Sequence, residues 1–178
     1  ALLGPWWYGE EGGVGLYRPL TLGSFTLEWK LWGGSPVGFH AGSLLGHAAA
    51  SVLVLLLLAR LAPLGAALAG ALLFAVHPVH VEAVANVVGR AEIHAALAVL
   101  AACVVYLDPA LRMPRLRGVR LALLCLLYLV GLGSKEGAVM LPAALLVLEL
   151  VRPAEEDLRA RSRREGALLA GLAGTLAG

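Results

Sequence analysis

The sequence predicts an all-α fold, a polytopic transmembrane helical bundle of about five spans followed by the start of a sixth. Three observations carry this. Of the 178 residues 60% are hydrophobic and only 15% charged, against roughly 25% charged in a soluble domain, so too little polar surface exists to solvate a globule. The apolar residues form long uncharged blocks, and five such blocks would leave a soluble helical core no polar face to meet water. The basic residues gather in every second loop, as spans of alternating direction require. A formal net charge of +2 gives no support to nucleic-acid binding. Cys103 and Cys125 each lie inside an apolar run and read as small buried hydrophobes, not as a disulfide or a zinc pair.

Residues 1–37 read as an external loop segment with interfacial aromatic residues, the GPWWYG stretch and Trp29, Lys30 and Trp32 among them. The bundle itself is expected over 38–151. Residues 41–59 contain no Asp, Glu, Lys or Arg and form its clearest helix, placing a first span at about 38–60. Shorter uncharged runs place the others at about 62–78, 90–107, 118–134 and 136–151, each borrowing polar flanking residues. Gly42 and Gly46, a G-x-x-x-G pair, are expected to let another helix approach the first span closely. Residues 152–165 read as a charged cytoplasmic loop and 166–178 as the start of a truncated further span. With no initiator Met before the aromatic segment, the sequence reads as an internal piece of a larger membrane protein.

Orientation follows from the arginines. Arg60, then Arg112, Arg115, Arg117 and Arg120, then Arg152, Arg159, Arg161, Arg163 and Arg164 fall on one side, which the positive-inside rule makes cytoplasmic. The opposite side, periplasmic or lumenal, carries Arg18, Lys30, Arg90 and Lys135.

That outer side also holds the chemistry. The turn HPVHVEAVANVVGRAEIH brings His77, His80, Glu82, Asn86, Arg90, Glu92 and His94 together, and Pro78 should stop or kink the second span, leaving 79–89 as a short helix or re-entrant turn. Ser134, Lys135, Glu136 and Gly137 form a second polar cluster, and Tyr17 to Thr21 a third. Ionisable groups near hydrocarbon are costly unless paired or facing a wet cavity. Arg18, His77, His80, Glu82, Arg90, Glu92, Lys135 and Glu136 are therefore expected to line one outer cavity. Two alternatives stand beside this: snorkelling of the bases to the interface, and internal ion pairing with Glu82, Glu92 and Glu136. His77, His80 and Glu82 offer an H-x-x-H with a nearby carboxylate, but the H-E-x-x-H order of helical zinc sites is absent and no metal is expected. His40 and His47, on one face of the first span, should bond a neighbouring helix.

The combination YRPLT, GFH, HPVHVEAVANVVGRAE and GLGSKEGAVMLP, from Tyr17 to about Leu150, resembles the membrane portion of the tetratricopeptide-repeat-containing transmembrane O-mannosyltransferases and their bacterial relatives, of the GT-C superfamily. The resemblance implies a glycosyltransferase that takes a sugar, mannose in this family, from a polyprenyl-phosphate carrier on the outer or lumenal face and transfers it to a Ser/Thr hydroxyl of a protein acceptor, without a cofactor, and it makes Arg18, Arg90 and Lys135 the candidate cations for the departing phosphate. It implies an acidic catalytic motif, expected upstream of Ala1, with Glu82 and Glu92 as stand-ins within this chain, so that these residues alone would be inactive. A bacterial inner membrane is expected ahead of the endoplasmic reticulum. The other class of function is a non-catalytic polytopic scaffold or transporter segment, whose charges only hold helices together.

Overall fold

The computed structural model describes residues 18–151, which form helices α1 (Pro19–Trp32), α2 (Pro36–Leu58), α3 (Leu64–Val76), α4 (Val81–Ala85), α5 (Arg90–Leu107), α6 (Arg117–Ser134) and α7 (Leu141–Val151). Short 3-10 turns join them and no strand occurs among the described residues. The uncharged blocks become helices because a backbone in hydrocarbon must satisfy its own N–H and C=O groups.

Among the described residues three segments are long and apolar enough to cross a membrane: Pro36–Leu58, Val87–Leu107 and Pro114–Ser134. The chain is an integral membrane protein. The second expected span is broken, since α3 stops before Pro78 and continues as Pro78–Ala85 bent by 44°, making a fourth crossing if the pair is one span. Pro78 lacks the N–H that would continue the helix. The fifth expected span opens as a 3-10 turn, Glu136–Met140, leaving eleven helical residues in α7. The tally is thus three spans, or four with the bent pair, where five were expected. The expected charged loop at 152–165, the truncated span at 166–178 and the aromatic stretch before Arg18 lie outside the described residues.

A second correction concerns residues 19–32. They were expected as external loop and form α1, opened by Pro19 in the first turn, where its missing N–H costs nothing. The chain then reverses through Gly33 and Gly34, both at positive φ (60° and 81°). Trp29, Trp32, Leu27 and Leu31 are exposed on α1, as on a helix lying at a bilayer interface.

Helix α5 is the hub, packing on α2, α6 and α7. The densest core joins Ala102, Cys103, Tyr106 and Leu107 of α5 to Leu124 and Tyr128 of α6 and Leu141 and Leu145 beside them. The G-x-x-x-G face of α2 is an interface: a side chain at Gly46 would collide with Ile93 of α5, and one at Gly42 with Glu28 of α1. His47 reaches the carbonyl of Ala75 at 3.0 Å and so ties α2 to α3, while His40 is exposed.

Candidate functional site

The antiparallel run of α5 and α6 brings the start of α5, the end of α6 and the start of α1 to one end of the bundle. There the short helix α4 folds over the first turn of α5. A glycine is required at this crossing, because a Cβ on Gly89 would stand 2.6 Å from the Glu82 carbonyl oxygen and 2.8 Å from the Ala83 Cα, neither of which can move aside alone.

Between these elements lies a cavity of about 420 Å³ lined by Arg18, His80, Glu82, Glu92 and Lys135, together with Asn86 and the small or apolar residues Val79, Ala83, Val88, Gly89 and Ala91. Five of the eight residues singled out in the sequence thus share one wall-to-wall space. Glu136 joins them through Arg18, whose guanidinium grips both carboxylate oxygens at 2.8 and 2.9 Å, with Nε at 3.3 Å from Oε2. Such a fork-on-carboxylate geometry is the strong form of the ion pair. Lys135 pairs with Glu92. Both acids are more exposed than their partners: Glu136 is 61% exposed against 11% for Arg18, and Glu92 52% against 24% for Lys135. The backbone amide of Glu136 and the Arg18 guanidinium hold the Glu136 carboxyl below the usual carboxylate range, outweighing the opposite effect of burial.

Glu82 lines the same cavity with no ion-pair partner among the described residues, which distinguishes it from Glu92. It is the carboxylate free to accept a proton or a hydrogen bond from something in the cavity.

Arg90 and His77 are not brought in. Arg90 is 2% exposed and faces away from the cavity, paired with Glu28 and bonded to the carbonyl of Phe39 and the hydroxyl of Ser43. The expectation that it meets a substrate phosphate is corrected: a cation buried at this depth needs its charge satisfied by the protein itself. His77 stands in a neighbouring, mostly apolar pocket of about 330 Å³ with His47, His80, Leu44 and Val84. The His80 ring forms the partition between the two spaces, packed against Phe74 (centroids 4.3 Å apart) and His47 (5.1 Å). Among the described residues no group of His, Cys, Asp and Glu is arranged to hold a metal ion.

Glu28 was missed in the sequence. The signal was present as a lone acid within the Trp29–Lys30–Trp32 belt, where an unpaired carboxylate is costly and should have prompted a search for a basic partner. Asn86 was noted in the turn, but its place on the cavity wall depends on where α4 ends.

Comparison with known proteins points one way. The chain is 44% identical over 100 residues to the Drosophila melanogaster protein O-mannosyl-transferase Tmtc1, covering 55% of this chain and 11% of that protein. It is 45% identical over 97 residues to human protein O-mannosyl-transferase TMTC4, covering 46% of this chain and 13% of that one. A Caenorhabditis elegans protein O-mannosyl-transferase is 32% identical over 135 residues, or 74% of this chain and 19% of its own length. The family read from the motifs and the family named by these relatives are the same. The chain spans between a tenth and a fifth of the length of these relatives. They are animal proteins, so the expected bacterial inner membrane draws no support from them. No family profile matches the chain, and no solved structure does.

Proposed function

We propose that these residues form the donor-phosphate side of the active site of a membrane glycosyltransferase, which moves mannose from a polyprenyl-phosphate carrier to a Ser/Thr hydroxyl of a protein on the outer or lumenal face. The observation that carries the reading is a cavity rimmed by two cations from different elements, Arg18 and Lys135, each resting on an exposed carboxylate that an anionic ligand can displace. The relatives' printed activity supplies the reaction class.

The chemistry follows from those groups. An acceptor hydroxyl forms a bond to the anomeric carbon as the bond from that carbon to the carrier phosphate breaks, and the hydroxyl proton passes to a carboxylate base. The departing phosphate gains negative charge. Arg18 and Lys135, released from Glu136 and Glu92, offer N–H donors where that charge develops, and a low-dielectric site strengthens the effect. Glu82 and His80 line the same space and are placed to orient the sugar or acceptor.

The test is transfer of mannose from a mannosyl-phosphoryl polyprenol to a Ser/Thr peptide by the full-length membrane protein that carries these residues. Arg18→Ala and Lys135→Ala should each lower turnover by about 10²- to 10³-fold, the effect of losing one preorganised donor. Unchanged turnover in both variants, with normal folding and amount, would leave the scaffold reading ahead. That reading already describes Arg90 better than the phosphate role does, since Arg90 spends its donors inside the bundle.

A further inference from the structure

Helix α1 carries Arg18 to the cavity rim, yet little packing holds it. Thr21 is its one buried residue, and Leu27, Trp29, Leu31 and Trp32 face outward. Polar ties at two places fix it instead. Near its start, Arg18 grips Glu136 and the Thr21 hydroxyl donates to the Ser134 carbonyl at 3.2 Å. Near its end, Glu28 meets Arg90, about 15 Å along the helix axis at 1.5 Å per residue.

The second tie is built with care for its geometry. Arg90 donates to Glu28 of α1, to the Phe39 carbonyl and to Ser43 Oγ of α2 (3.3 Å from Nε, 3.2 Å from Nη2). Its guanidinium lies 5.3 Å from the Phe25 ring centroid and 5.7 Å from that of Phe39. Gly42 leaves the space in which Glu28 and Arg90 meet, because any side chain there would overlap the Glu28 carboxylate. A positive charge in the first turn of α5 opposes that helix's dipole, so its placement makes sense only through the partners it joins. Its immediate neighbours Gly89 and Ala91 line the cavity.

We infer that Arg90 is a positioning residue: with Glu28 it locks α1 across α2 and α5, and this lock sets where Arg18 stands on the cavity rim. When an anionic ligand takes Arg18 from Glu136, α1 stays held by the Thr21 bond and the Glu28–Arg90 tie; without the latter it turns about Thr21, and Arg18 moves relative to Lys135. The inference rests on the reading of Arg18 as a donor-phosphate ligand given above.

In the full-length protein, Arg90→Gln, Glu28→Gln and Gly42→Ala should each lower kcat for transfer from mannosyl-phosphoryl polyprenol by about tenfold, less than Arg18→Ala does, the size of effect seen for coupled neighbours. Gly42→Ala keeps both charges, and Glu28→Gln keeps the shape, so loss of the fold does not mimic the result. In an Arg18→Ala background the same three substitutions should lower kcat no further. Multiplying effects in the double variants, or unchanged kcat in the three single variants, would overturn the lock. If Arg18→Ala alone leaves turnover unchanged, the site reading is what fails. The lock is then read by cross-linking Leu20→Cys to Gly133→Cys, positions already in contact, with Cys103 and Cys125 replaced by Ser. With Arg18 already released by Glu136→Ala, Arg90→Gln should cut that cross-link several-fold, and an undiminished cross-link in that background would overturn the lock by itself.

Discussion

The two ends of the bundle use their charges differently. At the cavity end, Arg18 and Lys135 pair with exposed acids around open space. At the opposite end the ion pairs close the structure. Arg60 bridges Asp108 at 2.9 Å and donates to the Val104 carbonyl, tying the turn after α2 to the end of α5. Arg120, buried in the first turns of α6, donates to the Tyr106 carbonyl at 2.7 Å with its guanidinium 4.6 Å from that ring's centroid. Glu149 of α7 accepts from the Tyr106 hydroxyl at 2.9 Å and stands 3.8 Å from Arg112. The same residue types thus serve as displaceable groups around the cavity rim and as fasteners where the acid is buried, Arg90 with Glu28 among them. What separates the roles is burial of the acid: Glu149 is 16% exposed where Glu136 is 61% exposed.

The largest expected effect is all-or-none. A single cysteine at Gly34 should be labelled by an impermeant thiol reagent only from the outer face, and one at Arg117 only from the cytoplasmic face. Labelling of both from one face would mean that the two ends do not lie across a membrane.

Next come paired substitutions that should separate activity from stability. Lys135→Ala should cost about 10² to 10³ in transfer and no more than about 1 kcal/mol in unfolding free energy, as partly exposed pairs do. Arg120→Met should do the reverse, lowering stability in detergent by about 1–3 kcal/mol, because the buried Tyr106 carbonyl loses its donor. Equal effects of both variants on both readouts would erase the distinction between the ends.

The smallest effect is electrostatic. Asp108 and Glu136 both lie outside the spanning segments, and both titrate below the ordinary carboxylate range, for different leading reasons. The Arg60 side-chain bond comes first for Asp108, whereas the backbone amide comes first for Glu136, with Arg18 behind it. A depressed folded pKa means that each pair contributes stability above the unfolded carboxylate's pKa and loses it as pH falls through the folded value. Acid should therefore loosen both ends, below the usual carboxylate range. Infrared titration of the two carboxylates should show Arg60→Met raising the Asp108 pKa by more than Arg18→Met raises that of Glu136; the opposite order would reverse the assignment of causes.

Much of this was legible in sequence. The uncharged blocks around residues 41–59, 93–107 and 121–134 became α2, α5 and α6, since hydrocarbon leaves a backbone no alternative to helix. Pro78 marked the break that the 44° bend displays. The residues from 19 to 32 were misread because neither a long apolar run nor a strong amphipathic face announces α1; it is held by Arg18, Thr21 and Glu28, each bonded to a distant part of the chain.

The sequence by itself determined which polar motifs share an end. Once the directions of the spans alternate, Arg18, the turn around His80 and Glu82, and Lys135 with Glu136 fall together, because a helix delivers its two ends to opposite sides. Only the tertiary structure decided which cation faces the cavity. Arg90 and Glu92 lie two residues apart on one helix, about 200° around its axis at 3.6 residues per turn, so one turns inward to Glu28, Phe39 and Ser43 while the other turns out to the cavity and Lys135. That rotation is fixed by how α1 and α2 dock on α5, through Gly42, Gly46 and Ile93. Local spacing carries no record of it, because the partners that choose the face lie about 50 residues or more away in the chain.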